Sequence, residues 1–173
     1  MVEAIKGLVH QKYFFVLFQA GVNISFFEQY WSSKEEIIKK TVYPKLDLAK
    51  NMGFKTIGIP IRFDMYLEPD KKTISPDRVQ KSEKLFDYFI KNNLNLILTY
   101  HFGESRKTTS EGVEREINKL VFLWSKIITQ CKGKGYNNIF FGLYDEPSTT
   151  DEVWEYANKK LMRALRPLDI NRY

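Results

Sequence analysis

Short strand-like runs alternate with amphipathic helical stretches four times along this chain, and no other feature narrows its fold as much. The strand-like runs are Phe14 to Asn23, broken at Gly21, then Thr56 to Ile61, Leu94 to Tyr100, and Ile139 to Leu143. Each is followed by apolar residues at helical spacing. The first helix is expected over Lys34 to Asn51, interrupted at Pro44 and capped by Gly53. Ser75-Pro76 is a cap and first-turn pair for the second helix, whose apolar face is Val79, Phe86, Phe89 and Ile90. The third helix starts near Ser110. It carries Val113, Ile117, Leu120, Val121, Trp124, Ile127, Ile128 and Cys131 in register until Gly133 and Gly135 end it. The fourth is expected to open on a capping box, Thr149-x-x-Glu152; it carries Val153, Ala157, Leu161 and Leu165, and stops before Pro167.

Strand ends near Asn23, Ile61, His101 and Tyr144 recur about every 40 residues. Alternation of this kind specifies a parallel sheet with right-handed crossovers. Four βα units are half of an eight-unit α/β barrel. No linker interrupts the pattern, so residues 1–173 are expected to form a single domain.

Composition excludes more than it selects. A net charge of +6 is spread over helical surfaces without a clustered basic patch, so nucleic acid is not expected as a partner. No stretch is long and apolar enough for a membrane span. Near the N-terminus, Lys12 abuts an apolar run, Tyr13 to Phe18, that is shorter than the roughly 7–15 residues of a signal peptide core; it reads as first strand instead. Localisation stays undetermined by the residues themselves. Cys131 is alone and lies in an apolar stripe, which suits a buried thiol. With only His10 and His101, a histidine-rich metal site is not expected.

The fourth strand run ends in Asp145-Glu146-Pro147. Pro147 can begin a helix but cannot continue a central strand, so the strand delivers two carboxylates to its C-terminal mouth. Ligands of parallel α/β proteins bind at that mouth. Glu146 is the candidate catalytic group. Both acids would equally complement the positive N-terminus of the next helix.

Four segments together resemble the N-terminal half of glycoside hydrolase family 5, the cellulase-like (β/α)8 barrels. They are GVNISFFEQYW at Gly21 to Trp31, GFKTIGIPIRF at Gly53 to Phe63, LILTYH at Leu96 to His101, and IFFGLYDEP at Ile139 to Pro147. The resemblance implies a TIM-type barrel lineage of which this chain covers about half. It also implies retaining hydrolysis of a β-linked polysaccharide, with no metal or organic cofactor, by a protein of secreted type. The family motif on this strand is Asn-Glu-Pro, whose Glu is the acid/base. Glu146 takes that role by resemblance, and Asp145 stands where the family has Asn. An ionised Asp cannot donate a hydrogen bond, and a second negative charge raises a neighbour's pKa. His101 matches the family's substrate-site histidine; a core histidine is the other reading of it.

The chain also departs from the family. The second-strand motif is Arg-x-Pro, and here position 58 is Gly. Arg62 follows four residues later, roughly 13 Å along a strand. Asn23 suits a polar wall of the site or a turn. Phe26, Phe27, Tyr30, Trp31, Phe63, Tyr66, Tyr100 and Phe102 crowd the expected mouths, where rings could stack on sugar faces or fill the core. Trp31, Tyr66 and Tyr100 are assigned to the substrate side.

A retaining glycosidase needs two carboxylates about 5–5.5 Å apart. The family's nucleophile lies on its seventh strand, for which this chain has no counterpart. Glu28 and Glu104 fall in mouth loops without marking themselves as replacements. The chain alone is therefore expected to be inactive. A rival reading is a non-enzymatic half barrel that binds carbohydrate or assembles, including with itself through open sheet edges. A nucleotide-binding open sheet would need a Gly-rich phosphate loop, which follows none of the strands.

Overall fold

The computed structural model describes residues 20–24, 35–62, 67, 73–101, 110–145 and 149–169. Its elements alternate strictly. Strand β1 is Gly21–Asn23, helix α1 Glu35–Asn51, β2 Thr56–Ile61, α2 Pro76–Lys91, β3 Asn95–Tyr100, α3 Ser110–Cys131, β4 Ile139–Gly142 and α4 Asp151–Leu165, which runs into a 3-10 turn at Arg166–Leu168. The strands form one sheet in the order β1-β2-β3-β4, every pair parallel. This is the arrangement of half a (β/α)8 barrel. The expected first strand is present at Gly21–Asn23, while residues 14–19 lie outside the described residues.

The two faces of the sheet differ. Ile57, Ile59, Ile61, Leu96, Leu98, Tyr100 and Ile139 are fully buried and point toward the helices. There they meet Leu46, Phe86, Phe89, Leu120, Trp124, Ile128 and Leu161. Because side chains alternate along a strand, the opposite face carries Asn23, Gly58, Ile97 and Phe140 in one register row. Pro60, Thr99 and Gly142 make the next row. The apolar core thus sits between sheet and helices, and the inner face is small and polar except at Ile97 and Phe140.

Successive helical layers are joined by tyrosine hydroxyls that donate to carboxylates. Tyr88 of α2 donates to Asp47 of α1 at 2.7 Å, and Tyr136, just after α3, donates to Asp87 of α2 at 2.7 Å. Tyr156 of α4 donates to Glu114 of α3, which Lys160 also meets at 2.7 Å. Burial, reinforced by the adjacent carboxylate, raises the Tyr88 and Tyr136 hydroxyls well above the ordinary phenol range. The bonds from Lys160 and Tyr156 hold Glu114 below the usual carboxylate range.

Helix α3 follows the expected stripe closely: Trp124, Ile128 and Cys131 are fully buried. Gly53, Gly133 and Gly135 all take positive φ after helix ends, a conformation that glycine adopts without penalty. Four local expectations are corrected. Helix α1 runs unbroken through Pro44; Pro44 and Lys40, whose carbonyl loses an amide partner to the proline, are both exposed residues, where that loss costs least. Ser75 makes no side-chain cap; its carbonyl instead accepts from the Arg78 and Val79 amides. The cap of α4 is Thr150, not Thr149, and its hydroxyl serves the Glu152 carboxylate rather than a helix amide. Ile90 is 39% exposed, and Leu85 replaces it on the buried face of α2.

Candidate active site at the strand mouths

Strand β3 ends at Tyr100 and strand β4 at Gly142, yet backbone bonding continues beyond both. The His101 amide donates to the Ile61 carbonyl at 3.0 Å, which ties His101 to the end of β2. The Asp145 amide donates to the Tyr100 carbonyl at 2.7 Å, which ties Asp145 to the end of β3. Between them, the Leu143 carbonyl accepts from the Trp124 indole of α3 at 3.0 Å. The Tyr144 ring turns toward the helices, 5.1 Å from the Tyr100 ring and 5.8 Å from Trp154. With Tyr144 directed outward, Asp145 faces the inner rim. Its Oδ2 lies 3.0 Å from His101 Nδ1.

The structure therefore unites two site residues that are far apart in sequence. Both are partly open to solvent, the His101 side chain at 23% and Asp145 at 41%. Thr99 and Gly142 floor the rim beneath them: a Cβ at position 142 would stand 2.7 Å from Thr99 Oγ1, so only glycine leaves room for the threonine. In the sequence Trp124 stands only as part of an apolar stripe and Tyr144 only as a strand end, and nothing there connects either of them, or this threonine–glycine pair, with the site. An outward aromatic at the fourth mouth was their one available signal.

Two further candidates meet at the other end of the sheet. Asn23 and Gly58 are register partners, and a Cβ at position 58 would overlap Asn23 Oδ1. Asn23 thus occupies the inner-face space beside position 58. Arg62 is exposed immediately past β2. Tyr100 is corrected: it is fully buried on the helix side, its hydroxyl 3.5 Å from Glu116 Oε1, and cannot reach a ligand on the inner face. Glu146, Trp31 and Tyr66 lie outside the described residues, as do Glu28, Glu104, Phe26, Phe27, Tyr30, Phe63 and Phe102. Among the described residues, no cluster of three or more His, Cys, Asp or Glu could hold a metal ion, and no helix is long and apolar enough to cross a membrane.

Residues 17–173 match Cellulase (glycosyl hydrolase family 5). The chain belongs to glycosyl hydrolase family 5. This family 5 chain is 27% identical over 128 residues to Endoglucanase 1 of Ruminococcus albus, a match covering 74% of the chain and 30% of the relative. Its fold is that of a family 5 lichenase from Caldicellulosiruptor sp. F32, with TM-score 0.70 at 19% identity, covering 90% of the chain and 51% of the lichenase. A xyloglucan-specific β-1,4-glucanase from a ruminal metagenomic library, solved in complex with XXLG, aligns with TM-score 0.72 at 17% identity, over 90% and 48% of the two chains. The family 5 chain spans less than a third of the curated relative and about half of each solved structure.

Proposed function

We propose that this chain carries the acid/base half of a glycosidase site that hydrolyses a β-linked glucan with retention. The observation that supports it most is the meeting of His101 and Asp145 at adjacent strand mouths. It presents two polar groups on the inner rim immediately before Glu146. In this reading Glu146 protonates the leaving glycosidic oxygen and then, as its carboxylate, activates the water that releases the sugar. His101 and Asp145 hold sugar hydroxyls, and Asn23 and Arg62 extend the polar wall. Trp31 and Tyr66 offer stacking faces. The family relatives, an endoglucanase, a lichenase and a xyloglucan-specific glucanase by name, favour a glucan over other polysaccharides. A polymer of that kind is met outside the cell, which favours a secreted protein.

This mechanism needs a nucleophilic carboxylate, which the family supplies from a later strand. The 173 residues on their own are accordingly proposed to turn over glycosides poorly. The decisive experiment joins the chain to the C-terminal half of a family 5 endoglucanase barrel and compares it with its Glu146→Gln variant. Turnover of unactivated glucan should fall about 10²-fold or more in the variant. Undiminished activity would remove Glu146 from the role.

A second reading has its own observation. Asn23 fills the space where a side chain at position 58 would stand, so no cation can occupy that inner-face position without displacing it. This favours a half barrel that binds carbohydrate without cleaving it. A joined protein that binds glucan but never hydrolyses it, with or without Glu146, would select this reading.

A further inference from the structure

Helix α1 has two flanks beside its buried stripe of Val42, Leu46 and Ala49. At about 100° per residue, Tyr43, Asp47 and Lys50 share one flank, and α2 closes it. The Tyr43 and Tyr88 rings stand 5.2 Å apart, Asp47 accepts from Tyr88, and Lys50 donates to Asn92 at 2.8 Å. The same spacing puts Lys45, Leu48 and, just past the helix end, Met52 on the other flank. Leu48 is 60% and Met52 66% exposed, the two most exposed large apolar side chains among the described residues. A lone exposed apolar residue needs no partner. Two on one flank, mirroring a flank that a helix closes, make half of a seam.

Helix α4 presents the other half. Its buried stripe is Ala157, Leu161 and Leu165. On one flank Tyr156 and Lys160 reach Glu114 of α3. The opposite flank carries Glu155, Asn158 and Met162, of which Glu155 is exposed and the other two half-buried. The two free flanks are complementary in order as well as in kind: Lys45, then Leu48 and Met52, on α1; Glu155, then Met162, on α4. In the seams present within the chain, partners stand level or about a turn further along the later helix, as Asp47 with Tyr88 and Glu114 with Lys160. Helices laid side by side in that way bring Lys45 toward Glu155, and Leu48 and Met52 against Met162.

We propose that two copies of this chain close into one barrel through these flanks, α4 of each against α1 of the other. Strand order permits it. Among the described residues, β1 and β4 are the edges of a wholly parallel sheet, and four βα units joined to four complete the eight of a closed barrel. A twofold axis along the barrel makes both seams identical. The mouth after β4, with Asp145, then adjoins the second copy's mouth after β1, with Asn23, so each site draws on both copies. The inference goes beyond the glycan reading and does not depend on it.

Sedimentation velocity of the intact chain at micromolar concentration reads the assembly. The unaltered chain should sediment as a dimer, and Met52→Lys should shift it toward monomer. Lys45→Glu and Glu155→Lys should each weaken the dimer about 2- to 5-fold per seam, the value of an exposed ion pair. The double variant, which restores opposite charges across the seam, should recover the lost affinity. All three positions are exposed, so the variants retain the core, and far-UV circular dichroism checks that they do. A folded monomer in the unaltered chain, a dimer indifferent to Met52→Lys, or charge reversals that the double variant does not rescue would overturn the proposal.

Discussion

Asn23 lies across Gly58, its register partner on the neighbouring strand, so closely that the glycine has no room for a Cβ. Gly58 does not adopt positive φ, so its glycine is required by space and not by backbone conformation. The same device recurs where Thr99 leans over Gly142. In both cases a polar side chain on the inner face occupies the place of its neighbour's.

Gly58→Ala should therefore destabilise the chain by about 1–3 kcal/mol, the ordinary cost of overpacking. Asn23→Ala should relieve most of that loss. Urea denaturation of the two single variants and the double variant measures the coupling. Additive effects within about 0.5 kcal/mol would mean that the two positions do not compete for space.

The phenol–carboxylate bonds predict a specific alkaline response. The raised hydroxyls of Tyr88 and Tyr136 keep their protons in the folded chain at a pH where the unfolded chain loses them. Their contribution is fully present below about pH 10 and is lost as pH rises toward the folded-state values. Tyr88→Phe and Tyr136→Phe should each cost about 1–2 kcal/mol at neutral pH. That difference from the parent chain should shrink above about pH 10. A cost that stays constant from pH 7 to 11 would show that the hydroxyls do not keep their protons to a higher pH in the folded chain than in the unfolded one.

Trp124 braces the fourth mouth through the Leu143 carbonyl, 3.0 Å from its indole nitrogen. Trp124→Phe keeps most of the apolar volume and removes that donor. A loss of about 1–3 kcal/mol is expected from the partly buried carbonyl left unpaired. The His101 ring signals should broaden as Asp145 loses its fixed position. Unchanged signals in a destabilised variant would confine Trp124 to the core.

Among the described residues, β1 and β4 stand at the edges of the four-stranded sheet. Ile97 and Phe140 lie half-buried on the inner face. Unpaired edges and apolar inner residues favour self-association. Sedimentation velocity at micromolar concentration should find a dimer, and Phe140→Lys should shift it toward monomer. A well-folded monomer in the parent chain would exclude closure by a second copy.

The architecture was legible because each unit states its own period. β2 coincides with the expected Thr56 to Ile61, and α3 buries the expected stripe. Local rules failed where solvent or the sheet overrode them. Pro44 breaks nothing, and it lies on the exposed side of α1, where a lost backbone bond costs least. Ile90 satisfies helical spacing, but neighbouring elements cover Leu85 instead. Tyr100 was assigned to a ligand because it stands at a strand end, whereas alternation along β3 directs it to the helices. The His101–Asp145 pair was not legible as a pair: a backbone bond after the end of β4 sets its register, and spacing along the chain carries no sign of it.

Because the sheet order follows the chain order, each βα unit touches the units before and after it and shares one tyrosine clasp with its neighbour. Such a molecule behaves as a short one-dimensional array, with stability set by each unit and by its seams. Cooperativity in an array is greatest in the middle. Amide exchange should accordingly be slowest in β2 and β3, which have a neighbour on both sides, and should quicken outward along the array. A seam cut between two units severs one ladder and one clasp, so whole units are the natural pieces for recombination with other barrels.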